Sequence, residues 1–462
     1  MKLPEQITNI MAHIISHGYK TRVIGGAIRD FKMGVEPHDY DIVTNAKGEE
    51  LLQLFPDSHV VGGEERQSKI LTVMVDDVEV STFRRNGKRT EIGGTLEEHQ
   101  ATCDFTMNAI ACDINGYIDE ENEANKQGIA DIEGNRLRFV GEPLERIEED
   151  QLRILRGIRF ILKYNMICDK ETFNLLQNYD VDVPKERVRD ELMKIFSLKL
   201  YSGFLRYILR FMPKAMAHSN NLLSGGTWHS ETPYAHFESS FLEASEITED
   251  PILRMGILLH DVGKALTRTE AGDVCIDMNG NESESPLKVN VHFYEHQKVG
   301  ADLVRKWMNE NKFSKDEINY VTTFIYNHMH GYAENIPSKK SYLKLFAALD
   351  GAGITIEEYV IHLYADNQGN HAKPRIKFGD FVKDSIYIKK YYEMKFTNEP
   401  FKIHDLEISG KDLIEKYGMT AGKELGALLK EIFDLVQEGT LRNVKPDLHF
   451  YVKTKINGYK EV

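Results

Sequence analysis

Cysteine is scarce: the 462-residue chain has four, Cys103, Cys112, Cys168 and Cys275, and no two form a C-x-x-C pair or a disulfide framework. That excludes a small cross-linked secreted scaffold and a cysteine-based zinc module. Long apolar runs are missing too, and no stretch approaches the roughly 18 consecutive apolar residues of a membrane span. The opening Met-Lys-Leu-Pro-Glu-Gln holds no apolar signal core, so the expectation is a soluble, reduced, cytoplasmic protein without a membrane partner. Positive charge is in deficit: 58 Lys and Arg face 72 Asp and Glu, a net charge of −14. A surface that coats nucleic acid throughout is thereby excluded, because phosphate binding draws on clustered cations. Any polyanion must meet a local patch: Arg153, Arg156, Arg159 and Lys163, the Lys185-Glu-Arg187-Val-Arg189 run, or Lys389-Lys390. Taken alone, each is more often a solvated helix face.

The length suits roughly two to four domains. No repeat or low-complexity tract stands out, and nothing calls for an obligate protein partner. Residues 1–140 read as mixed α/β, with a helix from Gln6 to His17 and strands around Thr21–Gly25, Tyr40–Thr44, Ile70–Val75 and Val78–Phe83, the last two joined by an Asp76-Asp77 turn. After Gly141 the pattern turns helical, with apolar residues at helical spacing from Pro143 to Phe160 as one segment. Ser-Asn-Asn and Ser-Gly-Gly between Ser219 and Gly226 mark a loop, a polar stretch from Gly272 to Asn290 reads as a surface insertion, and Gly369 to Arg375 forms another break. The expected fold class is multidomain α+β: a small mixed-sheet head (1–140), a helical neck and linker (141–226), a histidine-rich helical domain (227–375) and a helical tail (376–462).

The densest chemistry lies in Val23-Ile24-Gly25-Gly26-Ala27-Ile28-Arg29-Asp30, followed by Asp39-Tyr40-Asp41. One residue apart in an extended strand, Asp39 and Asp41 share a face and can share divalent ions. Oxygen ligands select Mg²⁺ or Mn²⁺ over zinc, and two such ions suit phosphoryl chemistry. A lone D-x-D is more often a charged turn; the glycine pair alters that, since Gly25 and Gly26 after a strand free backbone N–H groups for phosphate and Arg29 adds a cation. Glu79, on the alternating strand Val78–Phe83, is the expected third carboxylate.

On these residues the chain resembles the class II tRNA nucleotidyltransferase/poly(A) polymerase family, whose members include CCA-adding enzymes. Asp104-Phe105-Thr106-Met107-Asn108-Ala109 resembles its ribose-reading segment, Asp131-Ile-Glu-Gly134-Asn-Arg136 its hinge, and Glu149, Asp150 and Arg153 its base-recognition motif, with Arg156 beside them as a nucleotide-binding residue. A carboxylate and a guanidinium at i,i+4 present acceptors and donors in a plane, as reading the Watson–Crick edge of a base requires. The resemblance implies CTP and ATP as substrates and tRNA as the acceptor. Two features depart from the family pattern: Thr102-Cys103 stands where members usually carry two arginines, and the stretch from Arg84 to Asp104 is shorter than the loop tied to switching from CTP to ATP.

Further on, His236, His260-Asp261 and Asp366 follow in the order H…HD…D, resembling an HD-domain metal phosphohydrolase. The mixed N/O set suits Mg²⁺, Mn²⁺, Ni²⁺ or Co²⁺. Lys264 is the expected phosphate contact, and His296 and His328 are candidates for a second metal or for further phosphate contacts. Relatives with this domain hydrolyse 2′,3′-cyclic phosphates, 2′-nucleotides or phosphate esters. The tail, from Ile408-Ser-Gly410 through Gly422 to Asn443, resembles the tRNA-contacting tail of HD-containing members, with Gly410 and Gly422 at helix starts. The implied function is template-independent addition of C and A to tRNA 3′ ends with an HD hydrolase alongside. The alternatives are a poly(A) polymerase, a CC-only or A-only enzyme and, in another class, a non-catalytic RNA-binding module.

Overall fold

The computed structural model describes residues 1–61, 72–85, 88–219, 232–276, 282–330, 337–397 and 399–458. The chain divides into two units, Met1–Ile195 and Phe196–Val462.

The first unit opens with α1 (Glu5–Ser16), β1 (Thr21–Ile24), α2 (Gly26–Lys32), β2 (Asp41–Thr44), α3 (Gly48–Leu54), β3 (His59–Val60), β4 (Thr72–Val75) and β5 (Val78–Thr82). A small ribbon, β6 (Arg84–Arg85) and β7 (Lys88–Ile92), leads to α4 (Leu96–Gln100), β8 (Ala111–Cys112) and α5 (Glu123–Glu133). The main sheet has the order β3-β4-β5-β2-β1-β8, and β2 with β5 is its parallel pair. Asp76 and Asp77 both take positive φ, 47° and 63°, as a two-residue hairpin with a primed turn demands. The alternation that marks β5 buries Val78, Val80 and Thr82 and leaves Glu79 outside. Ile7, Met11 and Ile14 of α1 pack with Val23, Ile28, Ile42, Leu51, Val73 and Val80 into one core. Asp39 lies just before β2, which begins at Asp41, so only the second aspartate of the pair stands in the strand.

The helices that follow are α6 (Pro143–Glu149), α7 (Arg153–Tyr164), α8 (Lys170–Asn178) and α9 (Lys185–Phe196). The single helix expected from Pro143 to Phe160 is thus two. Asp150 is extended, at φ −156° and ψ 100°, and its carboxylate accepts the Leu152 N–H at 3.2 Å, a local bond that competes with helix continuation. Helix α7 ends at Asn165 in the left-handed conformation.

In the second unit, α10 (Leu205–Ile208) and α11 (Lys214–His218) precede α12 (Pro233–Ser245), α13 (Pro251–Leu259) and α14 (Lys264–Thr267). The loop expected between Ser219 and Gly226, and the start expected at Thr227, fall almost wholly outside the described residues. The polar stretch read as an insertion belongs to an antiparallel ribbon, β9 (Arg268–Ile276) with β10 (Glu282–Phe293). Then come α15 (His296–Glu310), α16 (Lys315–Asn327), α17 (Lys339–Gly351) and α18 (Ile356–Gly369). Ala244, Leu253, Ile257, Phe324, Phe346, Tyr359 and Leu363 are buried together among them. The tail elements are α19 (Phe378–Asp384), α20 (Ile386–Phe396), α21 (Gly410–Tyr417), α22 (Lys423–Gln437) and α23 (Lys445–Gly458). The last three bury Leu413, Leu428, Ile432, Val436, Leu448 and Val452. Gly410 opens α21 and Gly422 caps α22, as expected.

A close backbone approach seats the end of α13 against α15. A Cβ on Gly263 would fall 2.1 Å from the His296 carbonyl oxygen and 2.7 Å from the Gly300 nitrogen, so the turn after α13 lies directly on the start of α15. Gly263→Ala is therefore expected to cost about 2 kcal/mol in denaturant unfolding, through overpacking against backbone that cannot yield.

Candidate active sites

In the head, β1 and β2 pair Ile24 with Asp41, and the parallel register of Ile42 with Val80 puts Glu79 beside Asp41 on the same face. Gly25 has φ +89°, and a Cβ there would sit 3.6 Å from Asp41 Oδ2; glycine keeps the floor beside the carboxylate open. The Gly25 amide donates to Ile110 O at 3.1 Å, so it is not free for phosphate as expected. Gly26, the first residue of α2, has no intrahelical acceptor for its amide. Asp41 is pushed up to about 6, first by loss of hydration and then by the negative charge of Glu79 and Asp39, with Arg156 and Arg29 opposing. Three carboxylates within electrostatic reach form a site that favours a cation.

Behind them runs a buried polar chain. Asp104 Oδ1 accepts from the Phe105 N–H and from Asn108 Nδ2, each at 2.8 Å, and Arg156 Nη2 lies 2.6 Å from Oδ2. Burial opposes the charge on Asp104, yet Arg156 and these donors hold it below the usual carboxylate range. Asn108 Oδ1 accepts from Arg29 Nη1 at 2.7 Å, and Arg29 also pairs with Asp30 at 2.7 Å. Arg29 is buried, its guanidinium 5.0 Å from the centre of the Phe160 ring, so the cation expected on the triphosphate is already engaged within the protein. Tyr164, which no sequence motif marks, donates to Asp30 at 2.7 Å.

The Glu149–Arg153 pair forms as expected, at 2.8 Å, across the break between α6 and α7. Arg153 is only 1 % exposed, and it also donates to Arg146 O and Thr102 O, so the protein itself fixes the position of its guanidinium. Asp150 pairs with Arg187 at 3.0 Å.

The second cluster is tighter. Asp261 Oδ2 faces His260 Nε2 at 3.4 Å and His236 Nε2 at 3.7 Å; Oδ1 faces His296 Nε2 at 3.1 Å and His328 Nε2 at 3.3 Å. Asp366 Oδ1 lies 3.0 Å from His236 and 3.3 Å from His260. Among the described residues, two triads close to within 4.8 Å, His236–His260–Asp261 and Asp261–His296–His328; Asp39, Asp41 and Glu79 do not reach that separation. The fold sets these rings from behind. Pro233 starts α12 with Thr232 as its cap, placing His236 one turn in. His260 and His328 end α13 and α16, and His260, His296 and His328 each put Nδ1 at 2.7 or 2.8 Å from the carbonyl three residues earlier. A carbonyl only accepts, so Nδ1 carries the proton in all three and Nε2 is directed at the carboxylates.

Buried charge is balanced accordingly. His260, which burial alone would lower, is raised to about 10 by Asp261 and Asp366. Asp261 and Asp366 stay far below the usual range despite burial, Asp261 held down chiefly by Lys264 and His260 and Asp366 by His236 and His260. Lys264 Nζ sits 2.5 Å from Asp261 Oδ2, so the expected phosphate contact is paired with the central carboxylate. His362 was not foreseen. Fully buried, four residues before Asp366 on α18, it rests edge-on against His260 at 5.3 Å and stacks on Phe324, with both ring nitrogens lacking a hydrogen-bond partner among the described residues. The i,i+4 spacing to Asp366 was the available signal.

Residues 21–138 match the Poly A polymerase head domain and residues 234–364 the HD domain. A CCA-adding enzyme of Lactococcus lactis subsp. lactis is 26% identical over 469 residues, covering 98% of each chain. Poly(A) polymerase I of Haemophilus influenzae is 31% identical over 214 residues, 40% of this chain and 45% of that one. In fold, the crystal structure of Bacillus stearothermophilus CCA-adding enzyme in complex with CTP covers 100% of both chains at 20% identity and a TM-score of 0.64. The Thermotoga maritima CCA-adding enzyme complexed with tRNA covers 98% of this chain at 17% identity and a TM-score of 0.52. The head and the histidine–aspartate cluster together define a nucleotidyltransferase with an HD domain. The chain thus carries a Poly A polymerase head domain and an HD domain, and both domain types are metal-dependent.

The raised Asp41 has a sign that can be checked. A carboxyl that binds its proton more tightly folded than unfolded costs stability as pH rises from about 4 through about 6. Asp41→Asn is expected to raise Tm by about 2 °C at pH 7.5 and to leave it unchanged near pH 4.5, read by thermal unfolding at both pH values.

Proposed function

We propose that this chain adds C and A to the 3′ end of tRNA without a template, by metal-dependent nucleotidyl transfer, and that its HD cluster hydrolyses phosphate esters at or near such ends. What carries the reading is the unbroken run of side chains from the carboxylate wall to the base-recognition motif: Arg29 to Asn108, Asn108 to Asp104, Asp104 to Arg156, and Arg156 on the same helix as Arg153. Full-length relatives named as CCA-adding enzymes support it.

In this reading Asp39, Asp41 and Glu79 hold Mg²⁺, which the all-oxygen donor set fits. When bound, the metal lowers the cost of ionising the primer 3′-hydroxyl and neutralises the triphosphate. Gly25 and Gly26 leave room for the triphosphate beside Asp41. Asp104 and Asn108 set the ribose position with Arg29 and Arg156 behind them, and Glu149, Asp150 and Arg153 select the base. The four-part division at 140, 226 and 375 is retained, with neck and tail gripping tRNA through shape and backbone. No described helix is long and apolar enough to cross a membrane; the setting proposed is the cytoplasm.

In the HD cluster, His236, His260, Asp366 and Asp261 hold one divalent ion, and His296 and His328 with the other Asp261 oxygen hold a second. Four imidazoles favour Mn²⁺, Co²⁺ or Ni²⁺ over Mg²⁺. The substrates proposed are 3′-phosphates or 2′,3′-cyclic phosphates, with Lys264 as the phosphate contact.

A tRNA transcript lacking its 3′ CCA, given Mg²⁺ with CTP, ATP or both, is expected to gain three nucleotides only when both are present, resolved at single-nucleotide length. Arrest after CC, a lone A or a long A ladder identifies the partial enzyme or the poly(A) polymerase instead. Asp39→Ala is expected to lower extension by at least about 10³-fold while tRNA binding is kept, and an active variant overturns the metal assignment.

For the second site, His260→Ala and Asp261→Ala are each expected to remove Mn²⁺- or Ni²⁺-dependent hydrolysis of a 2′,3′-cyclic nucleotide and leave extension intact. Unchanged hydrolysis refutes the assignment.

A further inference from the structure

The base-recognition pair does not stand by itself. Glu149, the last residue of α6, is held between two guanidiniums, one on each oxygen: Arg146 Nη2 lies 2.6 Å from Oε1 and Arg153 Nη1 2.8 Å from Oε2. Arg146 reaches further, donating through Nη1 to the Ala101 carbonyl at 2.9 Å, while Arg153 donates to the next carbonyl, Thr102 O, at 3.0 Å. Arg153 also donates to the main-chain oxygen of Arg146 at 2.8 Å. The two arginines therefore grip the same carboxylate and the same two-residue strap, one from each side of the extended break at Asp150. That strap leads directly into Asp104, and it includes Thr102, where the sequence has no cation of its own.

The arrangement is costly unless it is used. Arg146 is 11 % exposed at the side chain, and its Nε is buried without a hydrogen-bond acceptor among the described residues. An ordinary surface i,i+3 pair would leave both partners in water, with little gain and little cost. Here a guanidinium is drawn inward to fix one carboxylate in orientation and one main-chain segment in position. With Arg146 removed, Glu149 keeps a single cation and can rotate about it, and the Ala101 carbonyl loses its donor.

We propose that Arg146 is a positioning residue for nucleotide choice: it locks Glu149 against Arg153 and ties that pair to the Ala101–Thr102 strap, without itself touching the nucleotide. The inference rests on the proposed function of this site. Its consequence is selective, because a loosened donor–acceptor plane loses discrimination between bases more than it loses the sugar and phosphate contacts common to all nucleotides.

The test compares wild type, Arg146→Met and Arg146→Lys for binding of CTP and of UTP with Mg²⁺, and for their incorporation into tRNA lacking CCA. The wild type is expected to favour CTP. Arg146→Met is expected to reduce the CTP-to-UTP preference about tenfold in both measurements, with metal binding at the HD cluster unchanged as a check on folding. Arg146→Lys, which keeps a cation for Glu149 but cannot fork to the strap, is expected to fall between them. Equal losses for CTP and UTP, or an unaltered preference, overturn the proposal while the function stands. A wild type that does not distinguish CTP from UTP overturns both. If Arg146→Met fails to fold, an unaltered preference in Arg146→Lys overturns the proposal by itself.

Discussion

A carboxylate kept close to other carboxylates must be neutralised or made costly, and the two sites of this chain resolve that constraint in opposite ways. Asp41 stands beside Glu79 on neighbouring strands with Asp39 just ahead, and the nearest cations are already engaged, Arg29 with Asp30 and Arg156 with Asp104. Those cations offset only part of the effect of burial and of the neighbouring carboxylates, and its carboxyl is pushed up to about 6. Asp261 is wholly buried, yet Lys264 and a ring of histidines hold it far below the usual range. The first site is primed for a cation by burial and by neighbouring carboxylates; the second has its place for one prepared by fixed imidazoles.

Helix α7 is the element on which the first unit's chemistry depends. Its outer turn brings Arg153 to Glu149 and Thr102, its next turn Arg156 to Asp104, and its last Tyr164 to Asp30. Its apolar side, Ile154, Leu155, Ile158 and Ile161, is buried, so these polar contacts are set by a helix that cannot rotate without exposing its core. Asp104 and Asn108, the glycine turn and the Glu149–Arg153 pair are thus positioned by one rigid body.

How far the sequence revealed this depended on whether a feature was local. Strands β1, β2, β4 and β5 were legible because alternation is local, and so was the Asp76-Asp77 turn. The break at Asp150 was not, because apolar spacing runs on through it; what stops the helix is a side-chain bond from Asp150 to its own backbone two residues on. The neutralisation of Arg29 was also out of reach, since Asn108 lies 79 positions away. In the HD cluster the order of ligands could be read directly, but His362 could not be separated from an ordinary core histidine without seeing the rings it touches. The ribbon of β9 and β10 was hidden by a polar composition that fits a loop equally well.

The two clusters also differ in the donors they offer a cation. The head offers oxygen donors on and just before the two central strands of the sheet, β2 and β5, that do not converge tightly, a donor set suited to a hard cation. The HD cluster offers four imidazole nitrogens, three with their tautomer fixed by a carbonyl at Nδ1, around one doubly used aspartate. Such a set selects borderline metals by affinity and geometry, which the open carboxylates cannot match. The two donor sets thus differ in kind, carboxylates in the head and imidazoles around shared carboxylates in the HD cluster.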